Sequence, residues 1–114
     1  MVCDQNTAVQ ILEETYCACK AAFLKPVQQA YLFGSYARGD YHAESDIDIL
    51  LTVDEDGSLA EYRRAAARIS SELSLKYDIM VSVTVKQEAQ FRRYADVLPF
   101  YRNVLEEGIC FAAG

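Results

Sequence analysis

The segment that most restricts what this 114-residue chain folds into is Asp-Ile-Asp-Ile-Leu-Leu-Thr-Val, residues 46–53. Ile47, Ile49, Leu50, Leu51 and Val53 make it almost continuously apolar, the pattern of a central strand covered on both faces. Asp46 and Asp48 interrupt that pattern. In an extended strand, positions i and i+2 share a face roughly 6.6 Å apart. The two carboxylates therefore project together, while Ile47 and Ile49 enter the opposite layer. Two like charges at a strand that is otherwise buried are costly unless something cationic compensates them.

The flanking sequence places further elements around this strand. Asn6-Thr7 is a candidate cap for a first helix, with Val9, Leu12, Tyr16, Cys19 and Phe23 on one stripe and Pro26 closing it. Gln28 to Phe33 reads as a strand stopping at Gly34, and Ser35 to Gly39 as a helix start or tight loop. After a turn at residues 54–58, Leu59, Tyr62, Ala66, Ile69 and Leu73 form the stripe of a second helix capped by Ser58. Tyr77 to Val85 alternates, with Ile79, Val81, Val83 and Val85 on one face and Asp78, Met80, Ser82 and Thr84 on the other. A third helix follows from about Gln87 to Val97. Pro99 restarts helix as a first-turn proline. Gly108 ends it before a short strand, Ile109-Cys110-Phe111. The expectation is one mixed α/β (α+β) domain over residues 1–114, a small mixed sheet flanked by helices, with strand order left open.

Composition narrows the functional classes. Lys+Arg 11 against Asp+Glu 17 leave a net charge of −6, which argues against general nucleic-acid binding because no basic surface is available to displace counterions. The N-terminus lacks a basic region, and Asp4, Glu13 and Glu14 break its apolar run, so it does not read as a signal peptide. No apolar run approaches the ~20 residues of a membrane span. A cytoplasmic protein is expected, with Cys3, Cys17, Cys19 and Cys110 as reduced thiols; Cys17-Ala-Cys19 is not a zinc-ligand spacing.

Divalent cations are the natural compensation for Asp46 and Asp48, since hard cations take carboxylate oxygens. Two ions ~3.5–4 Å apart clamp the attacking and leaving oxygens of phosphoryl transfer. Such a site calls for a third acid. Asp78, the only acidic residue in the alternating segment, is the candidate. Gly34 at a strand end allows the backbone to approach a phosphate closely, and Ser35 adds amide and hydroxyl donors. Arg38 is suited either to a phosphate or to a loop carboxylate such as Glu44.

Gly34-Ser35, ten intervening residues and Asp46-Ile47-Asp48 together resemble the signature of the DNA polymerase β-like nucleotidyltransferase superfamily. The stretch GSYARGDYHAESDIDILL is similar to its minimal, MNT-type (MntA-like) branch. The resemblance implies two Mg2+ ions held by Asp46, Asp48 and Asp78, which serve as both metal ligands and catalytic residues. It implies nucleotide contacts at Gly34, Ser35, Arg38 and Ser45, and transfer of a nucleoside monophosphate, AMP from ATP, to a hydroxyl. It further implies a HEPN-type protein partner modified on a tyrosine, within a toxin–antitoxin pair. Two other outcomes stay open: a catalytically silent antitoxin acting by contact, and a small-molecule (antibiotic) transferase, for which the chain lacks an acceptor-binding half. Self-association is also left open.

Other conspicuous residues read as structural. His42, the single histidine, belongs to a polar loop. Arg63, Arg64 and Arg68, like Arg92 and Arg93, fall on solvated helix faces. Tyr16 and Tyr62 fall on helix stripes and are expected in the core.

Overall fold

A computed structural model describes residues 4–23, 27–54 and 59–111. Pro26, Cys3 and the turn with Ser58 lie outside the described residues. The elements are α1 (Gln5–Ala22), β1 (Val27–Phe33), α2 (Ser35–Arg38), β2 (Ile47–Val53), α3 (Leu59–Tyr77), β3 (Val81–Gln87), α4 (Glu88–Tyr94), α5 (Pro99–Glu107) and β4 (Ile109–Phe111). The strands form a four-stranded sheet in the order β3-β2-β1-β4. β1 runs antiparallel to β2 and β4, and β3 parallel to β2. The sheet is therefore mixed, as expected.

β2 is one of the two interior strands, and six of its seven residues are buried. Its two faces feed two separate cores. Ile47, Ile49, Leu51 and Val53 pack with Ile11, Leu12 and Tyr16 of α1 and with Tyr62, Ala66 and Ile69 of α3. On the other face Leu50 packs with Tyr31 of β1, Phe91 of α4, Ala95, and Tyr101 and Val104 of α5. Helices on both sides explain why the run shows no polar alternation. Asp48 lies on the second face, one step up the strand from Leu50, where α4 and α5 no longer cover the sheet completely.

Three local readings change. The first helix is capped by Asp4, whose Oδ1 accepts from the Thr7 N–H at 2.8 Å; Asn6 and Thr7 lie inside the helix. The expected stripe is otherwise present, with Leu12, Tyr16, Cys19 and Phe23 buried. The expected strand Tyr77–Val85 is split. α3 continues to Tyr77, which is buried, and Asp78 adopts a left-handed turn with φ 53° before β3 begins at Val81. The third helix is shorter than expected, ending at Tyr94.

Side chains of α3 secure the outer side of β3. Ser74 Oγ accepts from the Val81 N–H at 2.9 Å, and Arg63 donates to the Val85 carbonyl at 3.4 Å. Lys76 and Tyr77 at the end of α3 both reach Glu14 on α1. Among the described residues, no helix is long and apolar enough to cross a membrane.

Thr52 is fully buried on the Asp48 face of β2, and among the described residues its hydroxyl lacks a hydrogen-bond partner. An unpaired buried hydroxyl costs about 1–3 kcal/mol. Thr52→Val keeps the branched shape and removes that cost. Chemical denaturation should show it more stable than the parent by about 1 kcal/mol, and a loss of stability would show that the hydroxyl is satisfied after all.

Candidate active site

The site forms where β1 ends beside the start of β2. Phe33, the last residue of β1, pairs with Asp48, and the chain then turns at Gly34 into the single turn of α2. Gly34 has φ 79° and ψ −156°, a conformation essentially restricted to glycine. Space imposes the same restriction: a Cβ at this position would lie 2.6 Å from Asp48 Oδ2. Gly34 thus lets the backbone press directly against a carboxylate. The amides of Ala37 and Arg38 both donate to the Gly34 carbonyl, closing the turn that carries Ser35 and Arg38.

Asp46 and Asp48 come together as the strand geometry requires. Asp46 sits just before β2 and is exposed; Asp48 is half-buried. Burial and then the charge of Asp46 raise the Asp48 pKa, and the Arg38 guanidinium opposes them in part. Two hard-oxygen ligands side by side, one of them destabilised as an anion, suit a divalent cation.

Arg38 does not pair with Glu44. Its Nε donates to Asp40 Oδ2 at 3.2 Å, and its Nη1 lies 3.7 Å from Glu107 Oε2 on α5. Asp40 and Glu107 hold the Arg38 pKa above its usual value, and the group remains a fixed positive charge at the rim of the site. Ser45 is buried. Its Oγ accepts from the His42 N–H at 2.9 Å and its own N–H donates to the His42 carbonyl at 3.0 Å. The structure thus gives Ser45 the work of shaping the loop that delivers Asp46. His42 is exposed, as expected, with Nδ1 accepting from the Glu44 N–H at 3.2 Å.

Asp78 does not complete a trio. It is exposed in the turn before β3 and lines a shallow depression with Ser74, Leu75, Ile79 and Met80. Among the described residues, no three His, Cys, Asp or Glu side chains gather to hold a metal ion. The position on β3 that does pair with Asp48 is Ser82. The alternation of β3 does not extend back to Asp78, because Tyr77 is the last residue of α3 and the strand begins at Val81.

Composition and periodicity missed a neighbouring cleft of about 220 Å³, lined by Phe33, Gly34, Arg38, Phe100, Asn103, Val104 and Glu107. Phe33 and Phe100 meet edge to face with centroids 5.4 Å apart. The available signal was the exposed face of α5 together with Pro99, which directs that helix back over the end of β1. The described cysteines stay outside this chemistry. All three are free, and burial pushes the Cys19 thiol up to about 12, far from a thiolate nucleophile or ligand.

Residues 17–110 match the family described as Nucleotidyltransferase domain. The chain belongs to that family. This nucleotidyltransferase is 38% identical over 97 residues, 85% of its own length and 90% of the relative's, to the Methanocaldococcus jannaschii "Putative protein adenylyltransferase MJ0604". A solved "putative minimal nucleotidyltransferase" aligns over 94% of this chain and 95% of its own, with TM-score 0.56 and 25% identity. The crystal structure of a toxin–antitoxin with AMP-PNP shares the fold, with TM-score 0.53 and 20% identity over 95% of this chain and 72% of that one.

Two predictions follow from the geometry. In Asp48→Asn, the charge that burial and Asp46 disfavour is gone. The raised native pKa means that ionised Asp48 costs stability above that pKa, and the cost vanishes as pH falls and the carboxyl protonates in native and unfolded chains alike. Without added metal, Asp48→Asn should melt higher than the parent at pH 7, and the gap should close toward pH 3. In Gly34→Ala, both the strained φ and the 2.6 Å approach to Asp48 oppose the new methyl. Thermal melting should show a loss of at least about 1–3 kcal/mol.

Proposed function

We propose that this nucleotidyltransferase uses ATP and Mg2+ to transfer AMP to a hydroxyl of a partner protein, a tyrosine of a HEPN-type protein, as the antitoxin of a toxin–antitoxin pair in the cytoplasm. The observation that carries the reading is the Asp46–Asp48 pair with Gly34 packed against Asp48. This arrangement sets a carboxylate that is destabilised as an anion against the glycine of a tight backbone turn, which supports a cation and phosphate site. The name of the M. jannaschii relative supports protein as the acceptor, and the toxin–antitoxin structure with AMP-PNP supports both a nucleotide and a partner chain.

In this reading Asp46 and Asp48 hold Mg2+, which when bound supplies positive charge to phosphoryl oxygens. Gly34 and the Ser35 amide and hydroxyl hold the terminal phosphates. Arg38, kept in place by Asp40 and Glu107, offers its remaining N–H groups to the same oxygens. The loop stapled by Ser45 keeps Asp46 beside the nucleotide. Most of the rate comes from positioning and charge neutralisation.

One observation favours a second reading, the silent antitoxin that acts by contact: the described residues offer two gathered carboxylates where the superfamily resemblance calls for three. The two readings separate cleanly. With labelled ATP, Mg2+ and the product of the neighbouring gene, the transferase reading expects label on that product. Asp46→Asn and Asp48→Asn should each reduce the rate by at least ~100-fold. Labelling that survives both substitutions removes the mechanism. Neutralisation of the partner in cells by the doubly substituted chain would establish the contact reading instead.

A further inference from the structure

We infer that the metal site of this chain is a two-carboxylate site in which Ser82 occupies the third ligand's position. The chain alone then holds one divalent cation per bound nucleotide. The inference deepens the proposed function and rests on its assignment of Asp46 and Asp48.

Strand register brings Ser82 beside Asp48. β2 and β3 are parallel, with Ile47 opposite Val81, Asp48 opposite Ser82 and Ile49 opposite Val83. Paired residues on adjacent strands point to the same face, with the strands about 4.8 Å apart. The side chain at position 82 is therefore the nearest one from β3 to a cation on Asp48, and Ser82 is exposed on that face. Val81 and Val83 turn to the opposite core, where they pack with the α1 and α3 residues. On the other side of β2 the partner of Asp48 is Phe33, which brings no ligand.

No third acid joins the pair among the described residues. Asp40 and Glu107 both face Arg38. Asp78 lies three residues before the start of β3 in a left-handed turn and lines a different depression. A serine hydroxyl is a neutral and weak ligand for a hard cation, so Asp46 and Asp48 supply two negative charges, matching one divalent ion. A second ion, set between Asp48 and β3, would meet the Ser82 hydroxyl in place of a third carboxylate, and no group of three such ligands is gathered among the described residues. The same vacancy leaves the acceptor hydroxyl without a base on β3, so the isolated chain should bind nucleotide without consuming it.

The test counts Mn2+ by electron paramagnetic resonance, with the full chain in excess over α,β-methylene-ATP, whose α–β linkage cannot be cleaved. The parent should hold one Mn2+ per bound nucleotide. Ser82→Asp should hold two, and Ser82→Asn, of similar size without the charge, should stay at one. Asp78→Asn should also stay at one. Two ions in the parent, or a count lowered by Asp78→Asn, overturns the inference while leaving the nucleotide reading intact. An unchanged count in a folded Ser82→Asp chain also overturns it. Absence of nucleotide-dependent Mn2+ binding in the parent, or binding indifferent to Asp48→Asn, overturns the proposed function itself and the inference with it.

Discussion

The burial of β2 on both faces is the constraint from which the remaining architecture follows. A strand with apolar side chains on both sides needs a helical layer above and below it and a neighbour on each edge. α1 and α3 supply one layer, α4 and α5 the other, and β1 and β3 the edges. Only at its beginning does β2 escape this enclosure, and the two aspartates stand there. Their position reconciles an apolar strand with a polar site: Ile47 and Ile49 anchor the backbone in the first core while Asp46 and Asp48 emerge from the second face. Asp48 is thereby built on a rigid strand, with α2 contributing Ser35 and Arg38, and the connecting segments Gly34 and Asp46.

Electrostatics at that opening works against stability. Asp48 is pushed toward its neutral form by burial and by Asp46, and Arg38 compensates only in part. Arg38 is itself shared with Asp40 and Glu107, both of which are substantially exposed, and such ion pairs contribute little to folding. Their value is geometric: Glu107 belongs to α5 and Arg38 to α2, so the contact ties the helix beside the cleft to the turn beside the carboxylates. Destabilised anions of this kind mark functional sites more often than structural ones. The backbone at Gly34 shows the same pattern, with a restricted conformation held where it serves a contact to Asp48.

Much of the fold was legible because its signals are local. The helix stripe Leu12, Tyr16, Cys19, Phe23 and the second stripe Tyr62, Ala66, Ile69, Leu73 depend only on helical period, and both are buried. Boundaries were harder. Tyr77 fits helical and strand patterns equally well, and its burial against the α1–α3 core decided for helix. Arg38 illustrates a different difficulty: Glu107 is far away in sequence, and no spacing rule connects them.

Side-chain period and chemistry along one strand were enough to establish that Asp46 and Asp48 share a face, that β2 is central, and that Gly34 lies at the turn before the site. Those properties are encoded by neighbours within a few residues. Which residue of β3 stands opposite Asp48 was decided only in three dimensions. Parallel register depends on where α3 ends and how it packs on the sheet, and that packing sets Ser82 opposite Asp48 and leaves Asp78 in the turn before β3.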